Sequence, residues 1–222
     1  MRHPHGLRAA AAGLPAIGAA YEGGFFAGLI SHTDNGVATH ALIVAPAATG
    51  ATGTGYTLTT AKQWKTTYTS TAGTSSDFNG SVNSANMNNA DHPAAQFCEG
   101  LSIGGYTDWY LPARYELDIA YQNLKPTTTS NNTSWGINAY SVPERTANRT
   151  AGAPAQTSVA DFQTGGAEAF VAAFHWSSTQ DSASPNLFAW GITFSTGEVI
   201  YEDKVIIQNF NPRVRAFRKI AV

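Results

Sequence analysis

The side chains able to do chemistry are few and scattered. Cys98 is the only cysteine of the chain. It stands inside "HPAAQFCEGL", where Ala94, Ala95, Phe97, Cys98 and Leu101 recur as one apolar helix side. A cysteine in that setting is a small buried hydrophobe rather than a nucleophile. With no second cysteine there is neither an intrachain disulfide nor a cysteine-based zinc site. Histidines 32, 40, 92 and 175 fall among strands and a helix start, and no two share metal-ligand spacing. His175 therefore reads as a hydrogen-bonded structural group. Ser177 and Ser178 lack the Gly-x-Ser-x-Gly frame that exposes a nucleophilic serine. Asp108 and Glu116 are better placed as partners for Arg114, Arg213 or Arg215 than as an acid/base pair. Such a bridge would tie the middle of the chain to its last strand. No convergent titratable set emerges, so the expectation is a protein without enzymatic activity, metal or cofactor.

Nucleotide chemistry is excluded in the same way. The stretch "ATGATGTGYTLTT" has Gly53 and Gly55, but Leu58 occupies the third glycine position and no lysine follows. It reads as a flexible turn. The net charge of −2 supplies no basic stripe for nucleic acid. No apolar run reaches bilayer length, so no membrane insertion is expected.

Those residues need elements to hold them. In 222 residues, 43% hydrophobic content allows a real core, while only 13% are charged. Thr, Ser, Asn, Ala and Gly fill the surface instead, as in tightly assembled or extracellular proteins. Residues 1 to 20 are basic, then Ala-rich and interrupted by Pro15, which reads as a flexible or assembly arm rather than a signal segment. "YEGGFFAGLIS" and "GVATHALIVAPA" flank Asp34-Asn35-Gly36, a hairpin signal, within a region spanning 21 to 65. Residues 66 to 90 are small, polar and turn-rich and read as a long surface loop. Asp91 is the expected N-cap of a helix that has Pro93 in its first turn and Gly100 at its end. A second helix starts near Pro112, carries Leu117, Ala120, Tyr121 and Leu124 at helical spacing, and stops at Pro126. Residues 127 to 156 form another polar excursion, and "SVADFQTGGAEAF" is compatible with a short helix. The Asn-x-Ser/Thr triplets at Asn79, Asn131, Asn132 and Asn148 are what chance gives in so polar a chain.

Near the C-terminus, Trp190, Ile192 and Phe194 share one strand parity, with Gly191 and Thr193 on the other. Ser195 to Glu198 make a hairpin turn. Bulky anchors thus frame an irregular medley of Gln, Asp, Ser, Pro and Asn.

"IGGYTDWYLPARYEL" at 103 to 117, "HWSST" at 175 to 179 and "RVRAFR" at 213 to 218 together carry a resemblance. They resemble the C-type-lectin-like domain of bacterial collagen-like adhesins and phage virion proteins, over roughly residues 90 to 220. The resemblance implies an α+β fold with two helices and a twisted antiparallel sheet, assigned to residues 66 to 222 and preceded by the arm and hairpin. The same fold carries the hypervariable tips made by diversity-generating retroelements, between a Trp-Ser-Ser strand and a final Val-Arg strand. Trp109, Pro112, Trp176, Trp190, Arg213 and Arg215 would then be scaffold anchors. Gln180, Asp181, Ser182, Asn186, Phe188, Tyr201, Glu202 and Asp203 would be the ligand-binding face within the tip at 180 to 206. The Glu-Pro-Asn and Trp-Asn-Asp calcium motifs of animal lectins are missing: "NPR" at 211 to 213 and "SPN" at 184 to 186 lack acidic partners. Formylglycine-generating enzymes resemble this fold but need a pair of cysteines. The implied function is a phage virion protein, as a receptor-binding or tail-fibre-tip adhesin. Its partners would be a host surface glycan or protein receptor and other virion proteins, in a homo-oligomer with a trimer favoured. A structural capsid or tail decoration and a bacterial surface adhesin remain open as alternatives.

Overall fold

The computed structural model describes residues 13 to 52, 62 to 205 and 211 to 222. The turn around Gly53, Gly55 and Leu58, most of the expected N-terminal arm, and Ile206 of the expected tip lie outside the described residues. The architecture is α+β with antiparallel sheets. Strands β1 (Ala20–Tyr21), β2 (Gly24–Ile30), β3 (His40–Val44) and β8 (Phe217–Ala221) form one sheet in the order β1-β2-β3-β8. A short strand β4 (Ser141–Val142) pairs with the far end of β2. Strands β5 (Phe174–Gln180), β6 (Phe188–Thr193) and β7 (Glu198–Asp203) form the second sheet.

The expected N-terminal hairpin forms as β2 and β3, with Asp34 (φ 45°) and Gly36 (φ 71°) taking up left-handed backbone in the connection. Its second strand pairs along its whole length with β8, from His40 opposite Ala221 to Val44 opposite Phe217. Residues 21 to 65 and the C-terminal strand thus share a sheet. The segment before β8 also reaches the other sheet. Arg213 donates its N–H to the Phe174 carbonyl and accepts from Trp176 N–H, each at 2.9 Å. One stretch of chain near the C-terminus therefore joins both sheets.

Helix α4 (Arg114–Leu124) lies between the sheets and is buried at Leu117, Ile119, Ala120, Tyr121 and Leu124. Its N-cap residue, Ala113, has no side-chain oxygen, so Glu116 reaches back and accepts the Ala113 N–H at 2.8 Å. Against β2 the helix comes very close at Gly28. A Cβ there would lie 2.6 Å from the Asn123 amide nitrogen, and Asn123 donates to the Ala27 carbonyl at 2.7 Å. Helix α3 (Pro93–Glu99) packs on the other side of the core. Its N-cap is His92 rather than the expected Asp91. His92 bonds Asn89 through Nδ1 and Thr71 through Nε2, both at 2.8 Å, so its ring serves the preceding loop instead of the helix end.

The two helices foreseen are joined by two short ones, α1 (Ala47–Gly50) and α2 (Gly80–Ala85), and by a single 3-10 turn at Ala160–Phe162 where a short helix was anticipated. Helix α2 and its flanks correct the reading of residues 66 to 90 as surface. Thr74, Asn83, Ser84 and Met87 are buried there. Asn83 donates to the Ser76 carbonyl and Ser178 Oγ, and Ser84 Oγ accepts from Leu111 N–H at 3.0 Å. Polar side chains go inside because each is satisfied by backbone or by another side chain. Residues 127 to 156 do the same through Asn131, Asn138 and Arg149.

Candidate functional site

The frame comes first. Trp109 and Trp176 are fully buried in one apolar cluster with Trp64, Phe174 and Val214. Their indole N–H groups donate to the carbonyls of Tyr106 (3.2 Å) and Lys62 (2.9 Å). Trp190 is half-buried and packs against the neighbouring cluster, which contains Tyr121, Ile192 and Phe194. Pro112 is buried, and its carbonyl accepts from Ser178 N–H at 2.7 Å, so the 103 to 117 stretch is pinned to the Trp-Ser-Ser strand. Arg215 is buried over the Phe170 ring and donates to the Ala45 carbonyl (2.6 Å) and to Glu168 (2.8 Å). Arg213 is buried as well.

The expected carboxylate pairings are exchanged. Asp108 does meet the last strand, but through Arg218, whose Nε and Nη2 reach its two oxygens at 2.5 and 3.0 Å. Arg114 pairs with Asp77 at 2.7 Å. Glu116 has no arginine partner among the described residues. It accepts from Ala113 N–H, Gly80 N–H (3.2 Å) and Tyr110 Oη (3.0 Å), and burial lifts its pKa to about 7. Sequence distance does not say which guanidinium reaches which carboxylate, because strand register decides it.

The groups screened for catalysis have the following surroundings. Cys98 is buried, and desolvation, with Glu99 nearby, pushes its thiol pKa well up. His175 is buried between Phe170 and Phe194, meets the Ala173 carbonyl through Nδ1 at 3.0 Å, and is held down to about 3 by desolvation. Ser177 Oγ donates to the Trp190 carbonyl at 2.7 Å. Among the described residues, no group of three or more His, Cys, Asp or Glu is arranged to hold a metal, and no helix is long and apolar enough to cross a membrane.

The eight residues of the expected face divide. Gln180 and Asp181 are buried. The Gln180 carbonyl oxygen accepts from Thr71 N–H (2.8 Å) and Lys204 Nζ (2.6 Å), and Asp181 accepts from Ser184 N–H (2.8 Å). These two hold the loop together from inside and are not available to a partner. Ser182, Asn186 and Tyr201 are exposed, and Phe188, Glu202 and Asp203 are partly exposed. The Asn186 side-chain oxygen already accepts from Ser70 N–H (3.0 Å), and Asp203 accepts from Tyr68 Oη (2.8 Å). The register sets Phe188 opposite Asp203 and Trp190 opposite Tyr201, so these four share one side of the sheet. Glu202 alternates to the other side.

On that side the aromatic rings run continuously. Phe188 lies 5.0 Å from Tyr201, Tyr201 lies 5.1 Å edge-to-face from Trp190, and Trp190 lies 6.4 Å from Trp135. The Arg114 guanidinium sits 4.7 Å over the Trp190 ring. Beyond Trp135, between the start of α4 and the loops at 134 to 149, opens a cavity of about 300 Å³. Arg114, Tyr115, Asp118, Ser134, Trp135, Gly136, Ile137, Asn148 and Val199 line it. Asp118, in its wall, is gripped by both Arg145 and Arg149 and accepts from Asn138 at 2.8 Å. Burial, reinforced by Arg149, lowers the Arg145 pKa to about 9; burial alone lowers that of Arg149 to about 10.

These cavity walls were missed in the sequence because residues 127 to 156 read as polar excursion. Trp135-Gly136-Ile137, large apolar residues isolated in such a run, is the signal that marks them. Ile137 is 56% exposed, too much for a residue serving only the core. Compared with known proteins, the chain matches no protein-family model and no curated sequence.

Proposed function

We propose that this chain is a non-enzymatic binding protein with a C-type-lectin-like domain, acting as a receptor-binding or tail-fibre-tip adhesin of a tailed phage. In this reading the ring row Phe188–Tyr201–Trp190 and its bordering loops meet a glycan or protein on the host surface. The observation that carries it is this row, lying on a frame whose polar groups are tied internally. Tyr201, at its centre, is 49% exposed although its ring packs against two others. Rigid aromatic area beside short hydroxyl and amide side chains is the composition of adaptable recognition surfaces. The lectin-like assignment is supported by the two principal helices, the antiparallel sheets, and the packing of the 103 to 117 stretch on the Trp-Ser-Ser strand and the last strand.

The test is binding of the purified chain to arrayed bacterial surface glycans and to whole cells of candidate hosts. Tyr201→Ala is expected to weaken binding at least tenfold, with the thermal midpoint within a degree or two of wild type. Equal binding by the variant, or no binding by the wild type across the panel, overturns the proposal.

A further inference from the structure

We infer that the cavity between α4 and the 134 to 149 loops is a subsite for a single acidic sugar ring, a pyranose that carries a carboxylate. The inference rests on the surface-binding reading above and names the ligand chemistry for a part of the molecule that the expected face did not include. The volume of about 300 Å³ stands at the small end of ligand sites and suits one ring with its substituents rather than a peptide segment. Tyr115, Trp135 and Ile137 supply flat apolar wall for the C–H face of a ring. The polar groups in the wall are rich in donors. The Arg114 Nε is buried with no hydrogen-bond partner among the described residues. Ser134 and Asn148, both exposed, add a hydroxyl and an amide to the lining. A buried donor is costly to leave unpaired, and an acceptor oxygen of a ligand would satisfy the Arg114 Nε.

Charge selects the acid over a neutral sugar. Arg114 and Asp118 are the charged groups of the lining; Asp118 is covered by two arginines, Arg145 and Arg149, and Arg114 pairs with Asp77, so the set carries one positive charge more than negative. Glu198 neighbours the wall residue Val199, but strand alternation turns it to the other side, where it accepts from Asn132 at 3.2 Å. A ligand carboxylate near Arg114 completes this set with a charge-assisted contact.

The experiment is calorimetric titration of the whole chain with glucuronate, N-acetylneuraminate, glucose and inorganic phosphate, with tryptophan fluorescence recorded in parallel. The expected result is binding of at least one acidic sugar at least tenfold tighter than glucose and phosphate, with a change in emission. Asn148→Ala, at an exposed position, and Trp135→Ala should each weaken that binding severalfold without loss of fold. Equal affinity for glucose, tighter binding of phosphate than of either acid, no binding of any sugar, or wild-type affinity in both variants overturns the inference. Cell binding, measured on the same preparations, reports separately on the proposed function. Adhesion lost in Tyr201→Ala but with no acidic-sugar binding would remove the subsite and leave the adhesin.

Discussion

Among single residues, Glu116 shows how far tertiary placement can move a side chain from its ordinary behaviour. Its carboxyl is wholly buried, and its pKa rises from the ordinary 4.5 to about 7 mainly because burial penalises the charge. Between those values the folded protein keeps a proton that the unfolded chain has released. The group's contribution to stability is therefore fullest below pH 4.5 and falls as pH rises to 7, by about 3 kcal/mol. His175, held down to about 3, works with the opposite sign: its contribution is present above pH 6.5 and is lost on acidification. Comparing wild type with Glu116→Gln isolates the first effect. In urea unfolding at pH 4.5 and pH 8, the variant should gain about 3 kcal/mol relative to wild type at the higher pH. A gap that does not change with pH would show that the carboxyl is ionised throughout. Sequence reading placed Glu116 at a helix start and offered it an arginine. It could not supply the Gly80 and Tyr110 donors, which come from elsewhere in the fold.

At the scale of elements, strand alternation was readable and loop burial was not. The parity of Ile192 and Phe194 puts both in the core, as their bulk requires, while Trp190 on the same parity is half-buried under Arg114, where α4 begins. On the opposite parity Gly191 faces Phe174: a Cβ there would lie 2.2 Å from the ring and 2.3 Å from the His175 carbonyl oxygen. The β5–β6 pair closes only because that atom is missing. Gly191→Ala should destabilise by about 3 kcal/mol, read as a fall in the thermal midpoint, whereas Gly152→Ala, with open space around it, should not. Equal midpoints would mean that the strands can separate freely at this point. Helix α2 escaped notice because six residues of Gly, Ser, Val, Asn and Ala carry no helical periodicity. What holds it is Asn83 and Ser84 bonding to distant partners, a pattern that hydropathy cannot register.

For the molecule as a whole, the decisive feature is that β3 lies between β2 and β8 and serves both apolar clusters. Leu42 and Val44 belong to one cluster, Ile43 and Ala45 to the other. Neither cluster is complete without the C-terminal strand, which supplies Phe217 to the first and is preceded by Val214 and Ala216 in the second. The protein should unfold in one transition, with tryptophan fluorescence and far-ultraviolet circular dichroism coincident. Removal of residues 217 to 222 should abolish the near-ultraviolet signal altogether. A truncated chain that keeps fixed tertiary packing would show that the two clusters stand independently. The sequence alone determined the hairpin around Asp34 to Gly36, helices α3 and α4, and the strand parities. All of these follow from local backbone preference or from short-range periodicity. Only the tertiary structure decided that Asp108 meets Arg218, that Gln180 and Asp181 turn inward, and that Trp135 and Ile137 wall a cavity beside Arg114. Those outcomes depend on which distant segments satisfy each other's hydrogen bonds and charges, and that choice is made when the chain closes on itself.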